Sequence, residues 1–239
     1  MELRLKLVLQ SQQSTLLFKA LIFLGFLTLV YIGNFSLVPI LFFLAIAIIL
    51  YSKPIFNTFY FWASFLILLV VALNSPPSFF IAAFYAFLFY IILGLKNLVF
   101  INRVNWHQAL HLLLFYAMFM LFWGASDETT FLLRLVGVFV ASVFLIREFF
   151  KVAAVDFSKQ RVVASWVLAL LVVEIVWAIS WLPIGFLNSA ALAFLAVFTL
   201  INLTLHHFKG TLNKKIILSA ITFFVLFALL IFIASKWRI

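Results

Sequence analysis

The 239-residue chain contains no cysteine. Disulfides, thiolate catalysis, iron–sulfur clusters and thioether-linked haem are therefore excluded, and the redox compartment is not legible. Charge is nearly as scarce. Only 9% of the residues are Asp, Glu, Lys or Arg, against about 25% in an average soluble domain. There are six acids, seven glycines and five prolines. No proline interrupts the middle of an apolar stretch, and few glycines do. Broken helices are a frequent transporter device for exposing backbone to ions, so their scarcity weighs against a conventional ion-coupled transporter. No HExxH, GxSxG or Gly-rich phosphate loop occurs, nor the paired aspartates of a lipid-diphosphate enzyme.

What is present is apolar surface, 68% of the residues. A soluble fold cannot hide that much, so lipid is the expected solvent. The reading is an all-α, polytopic transmembrane helix bundle forming a single domain over 1–239, multi-pass in the cell membrane. Apolar stretches lie at about 16–33, 36–51, 58–74, 78–98, 107–125, 129–150, 162–183, 187–206 and 215–234. They are continuous, unlike the short alternating strands of a membrane barrel. The second is the shortest and is open to a tilted or re-entrant reading. Pro39, Pro54, Pro76, Pro77 and Pro183 punctuate the cuts. Asp127, Glu128 and Thr129 suit the N-terminus of the sixth span, and Asn188 and Ser189 are candidate caps of the eighth. The polar, basic segment 1–15 and the long first stretch read as a retained span rather than a cleavable signal.

The net charge of +10 does not point to nucleic acid, because the basic residues form no continuous patch. They alternate by side instead. Arg4, Lys6, Lys53, Lys96, Arg103, Arg147, Lys151, Lys159, Arg161, Lys209, Lys214 and Lys215, twelve of the sixteen, fall on one side. The connections around Asn34, Ser75, Asp127 and Gly185 carry none. The positive-inside rule then puts the N-terminus in the cytoplasm and, with nine spans, the C-terminus outside. Lys236 and Arg238 alone oppose it. The 33 phenylalanines fit a surface that holds a hydrophobic ligand, or simply AT-rich codons; the compositional reading is preferred.

Glu174 is the sharpest candidate. A carboxylate near the middle of a span costs about 2.5–3.5 kcal/mol on insertion scales and by default marks function. Trp177 and Trp181 follow at i+3 and i+7, on the same helix face. The functional reading is a ligand-binding or proton-binding carboxylate walled by indoles. The structural reading is an ion pair between Arg134 and Glu174, placed roughly 7 and 13 Å below the outer surface at about 1.5 Å per residue. Asp127 competes for Arg134. Lys19, one turn into the first span, is expected to snorkel to the interface. No lysine lies in the seventh span, so a retinal Schiff base is not supported.

Four histidines form a second constellation on the cytoplasmic side, with Glu148 and Asp156. His107 and His111 are spaced i, i+4; His206 and His207 end the eighth span. His107, His111 and His206 are candidate metal or haem ligands, against a plain interfacial role beside Trp106. The interfacial role is preferred, so no metal and no cofactor is assigned. Thr199, Asn202 and His206 form a polar stripe that lines a vestibule or bonds a neighbouring helix. Ala82/Ala86, Gly137/Ala141 and Ser165/Ala169 read as close-packing pairs.

The run Glu174-x2-Trp177-x3-Trp181-Leu182-Pro183-x-Gly185-Phe186, with Gly210 after the next span, resembles a pattern in uncharacterised integral membrane proteins of small-genome bacteria. It covers about the last third of the chain. The resemblance implies a membrane location, the bacterial inner membrane, and importance for the Glu-Trp face, with no activity attached. The expected function is non-enzymatic binding of a hydrophobic ligand, a lipid or a partner helix. The expected partners are membrane lipids and a membrane protein, not nucleic acid. The alternatives are a small proton-linked transporter using Glu174, and a membrane enzyme or metal protein using the histidines.

Overall fold

The computed structural model describes residues 2–53, 61–100, 102–124, 128–153 and 158–235, without the side chains of 2–11, Glu128 and Ser158. Pro54, Asp127, Asp156, Lys236 and Arg238, and the side chains of Arg4 and Lys6, therefore lie outside the described residues. The described residues form nine α-helices and one 3-10 turn, with no strand. The chain divides into two compact units, 1–110 and 111–239.

The first unit holds α1 (Glu2–Ile32), α2 (Leu37–Ser52), α3 (Trp62–Asn74), α4 (Phe79–Lys96) and the start of α5 (Arg103–Gly124). Helices form here because the apolar runs are long and no proline breaks their interiors; Gly25 in α1 and Gly94 near the end of α4 are the glycines they contain. Pro39 sits in the first turn of α2, where a missing N–H costs no helical bond. Leu16, Ala20, Phe23, Leu27 and Val30 are buried at alternating spacings of four and three. That seam faces α4 and α2. Phe23 stacks on Phe89 at 4.4 Å between ring centroids and meets Phe43 edge-on at 5.0 Å. Tyr31 Oη donates to Ala72 O at 2.9 Å, which satisfies a hydroxyl in the apolar interior.

The second unit holds the remainder of α5, the 3-10 turn Glu128–Thr130, α6 (Phe131–Val152), α7 (Ser158–Ile179), α8 (Phe186–Phe208) and α9 (Lys214–Ala234). Each of the last four packs on the next. Ser165, Ala169, Val172 and Val176 form the buried seam of α7. Of the small pairs, Ala82/Ala86 and Ser165/Ala169 are buried and allow close approach, whereas Gly137 is exposed. α9 is exposed along almost its whole length, with Ala228 its one buried residue.

Six helical segments are long and apolar enough to cross a membrane: Gln12–Ile32, Phe79–Lys96, Arg103–Gly124, Lys159–Ile179, Phe186–Phe208 and Lys214–Ala234. α2 and α3 are shorter, at 16 and 13 residues, or about 24 and 20 Å at 1.5 Å per residue. α6 is long enough but carries Arg134, Arg147, Glu148 and Lys151. Two local expectations are corrected. α8 starts at Phe186 with Gly185 as its N-cap residue, so Asn188 and Ser189 lie inside the helix; Ser189 Oγ donates to Gly185 O at 3.3 Å instead of capping. α7 ends at Ile179 rather than at Pro183, and Ser180 to Leu182 form a turn.

Candidate functional site: an outward carboxylate and a buried histidine–glutamate pair

α7 has two opposed seams. Its inner seam packs in the unit; its outer seam is Val163, Val167, Leu170, Glu174, Trp177 and Trp181, again at spacings of four and three, and every member is exposed. Trp177 is 51% exposed and Trp181 75%. Their rings meet edge to face at 6.1 Å. The turn after Ile179 keeps Trp181 on the helical path, through Trp181 N–H donating to Ala178 O at 3.2 Å. Glu174 is therefore grouped with both indoles, on the outside of the unit rather than in its interior. Among the described residues it makes no hydrogen bond or ion pair.

Arg134 does not pair with Glu174 in this structure. Its Nη1 donates to Phe122 O at 2.6 Å, and the guanidinium lies 5.5 Å from the Phe122 ring centroid. Phe122 is in the last turn of α5, where carbonyls lack helical partners. A cation there answers both the open carbonyl and the helix dipole. Depth along the spans alone allows the pair, but Glu174 faces outward here.

The histidines separate. His111 is buried, and its Nε2 lies 3.9 Å from Glu148 Oε2 of α6. Its ring meets Phe149 edge-on at 6.0 Å. His107, one turn earlier on α5, is also buried and lies 5.3 Å from the Phe61 ring. His206 is half-buried with Nδ1 2.9 Å from Thr211 Oγ1, and His207 is exposed. Among the described residues no group of three His, Asp or Glu is placed to hold a metal. Of the polar stripe, Thr199 donates to Leu195 O of its own helix at 2.9 Å. The His111–Glu148 pairing was missed in the sequence. Its signal was partial: His111 lies 13 residues before the end of α5 and Glu148 lies 17 after the start of α6, so an antiparallel arrangement brings them within about one turn.

Lys19 reaches toward the end of α2. Its ammonium donates to Lys53 O at 2.7 Å and Leu50 O at 3.3 Å, at the C-terminus of α2. No protein-family model, curated protein or solved structure matches the chain.

Proposed function

We propose that the chain is a multi-pass protein of the cell membrane whose α7 outer seam receives the transmembrane helix of a partner protein. In this reading all nine helices span or enter the bilayer, with the N-terminus cytoplasmic and the C-terminus external. Six helices of sufficient length and apolarity support the membrane location. The observation that carries the binding role is Glu174 exposed within the outer seam of α7. Left against hydrocarbon, a carboxylate costs about 2.5–3.5 kcal/mol. Acyl chains offer it no donor. A helix that presents a hydrogen-bond donor level with Glu174 removes that cost, and polar side chains join helices in lipid in this way. The alternating four-and-three spacing suits knobs-into-holes packing against such a helix, with one polar position setting the register. Trp177 and Trp181 supply large, rigid contact area next to it.

The test is a photoreactive phenylalanine analogue at Leu170, with the same analogue at the exposed Leu133 of α6 as control. A single protein adduct of defined mass is expected from position 170 in native membranes, absent from 133, and lost in Glu174→Leu. Adducts to lipid alone, or an adduct indifferent to Glu174, would reject the partner helix. An adduct of twice the chain mass would identify the occupant as a second copy.

A further inference from the structure

The C-terminus of α2 gathers three lysines, one from the middle of α1, one directly after α2 itself and one from the end of α4. Lys19 of α1 donates to Lys53 O and Leu50 O. Lys96, the last residue of α4, donates to Tyr51 O and sits 4.5 Å from the Tyr51 ring centroid. Lys96 is only 3% exposed. Lys53 follows α2 directly, and its side chain is exposed. Lys19 is close enough to both Lys53 and Lys96 for mutual repulsion. Arg103 adds a fourth cation at the rim, with Nη2 3.5 Å from Leu95 O.

Capping alone does not balance this charge. A helix C-terminus offers about half a negative elementary charge, against three ammonium groups. The one acid in residues 1–110 is Glu2. It lies seventeen residues before Lys19 on the same continuous helix, or about 25 Å away at 1.5 Å per residue. No carboxylate of this unit therefore serves as counter-ion. Donors remain for an outside anion: Lys19 spends two of its three N–H groups on α2, and the Lys53 ammonium makes no hydrogen bond among the described residues.

We propose that this lysine cluster binds a phosphate group, presented either by the headgroup of an anionic phospholipid or as free inorganic phosphate. Basic pockets between helices at a membrane surface take anionic headgroups by this chemistry. Lys53 and Lys19 contact the phosphate oxygens. Lys96, held too deep to reach, contributes its field and fixes the α2 terminus on which the others stand. The site is independent of the α7 seam.

The experiment is native mass spectrometry of the full chain in uncharged detergent. It is titrated with equimolar phosphatidylglycerol and phosphatidylcholine, and separately with inorganic phosphate. Wild type is expected to retain phosphatidylglycerol at least about fivefold over phosphatidylcholine, with Lys53→Gln removing about fivefold of that preference. Lys19→Gln with Lys53→Gln should abolish it. Lys214→Gln with Lys215→Gln, which neutralises two cations on α9, should leave it intact. Lys53→Gln breaks no side-chain hydrogen bond among the described residues, so it stands as the decisive variant if the double variant folds poorly. Displacement of phosphatidylglycerol by inorganic phosphate assigns free phosphate; failure to displace it assigns the headgroup. Equal retention of both lipids with no phosphate binding overturns the proposal, as does an equal loss in the α9 control.

Discussion

His111 Nε2 of α5 lies 3.9 Å from Glu148 Oε2 of α6, and both side chains are withdrawn from the surface, at 1% and 11% exposure. A histidine and a carboxylate held together away from water are coupled, because low local dielectric strengthens their attraction. Glu148→Gln and His111→Phe should each lower stability by about 1–3 kcal/mol, since each alters a buried polar contact. Read as a cycle of thermal stabilities in mild detergent, the coupling should be about 0.5–3 kcal/mol. Strict additivity would show that the two groups are neighbours without interaction.

Arg134 and Glu174 should behave oppositely. Arg134→Met removes the bond to Phe122 O and should cost about 1–3 kcal/mol. Glu174→Gln changes an outward side chain with no described partner and should leave melting of the isolated protein nearly unchanged. Their coupling should fall within the scatter of independent sites, about 0.3–0.5 kcal/mol. A coupling of several kcal/mol would restore the ion pair expected from span depth alone.

Gly94 marks a close approach. A Cβ there would collide with the edge of the Phe100 ring. The Phe100 ring is itself stacked on Trp106 at 4.8 Å. It cannot retreat freely, so Gly94→Ala should destabilise by about 1–3 kcal/mol through overpacking. Adding Phe100→Leu should recover part of the loss, as measured by thermal unfolding of the single and double variants.

Two helix ends use the left-handed conformation with unequal residues. Gly210, at φ +66°, lets Thr211 N–H reach back to His206 O at 3.0 Å after α8. Leu98, at φ +63°, does the same after α4, with Val99 N–H donating to Gly94 O at 3.0 Å. Both are six-to-one closures of a helix C-terminus. Only glycine adopts that conformation without strain. Gly210→Ala should therefore cost about 1 kcal/mol, and Leu98→Gly should gain up to about 1 kcal/mol. Equal signs in a stability assay would contradict the backbone reading.

Topology is open to a direct check. A reporter active only outside the cytoplasm should give signal when fused after Ile239 and none when fused after Lys209. Cytoplasmic placement of the terminal fusion would make the number of crossings even. α2 and α3, at 16 and 13 residues, would be the first helices to re-examine.

The sequence by itself determined the class and much of the layout. Continuous apolar runs with polar or proline-bearing connections place all nine helices, because a chain so poor in charge must satisfy its backbone internally. Helix limits differ by a few residues where turn chemistry outweighed hydropathy, as at Ile179, where α7 stops four residues before Pro183. The Glu174, Trp177 and Trp181 grouping followed from helical periodicity and is found intact. Its direction did not follow. Periodicity says which residues share a face, but not whether that face looks inward, and only the packing of Ser165, Ala169, Val172 and Val176 turned Glu174 outward. The same limit hid the pairing of His111 with Glu148 and the meeting of Lys19, Lys53 and Lys96 at the end of α2. Such contacts depend on the rotation of one helix against another. That rotation is decided by side-chain interlocking between helices, which a single helix's residue spacing does not contain.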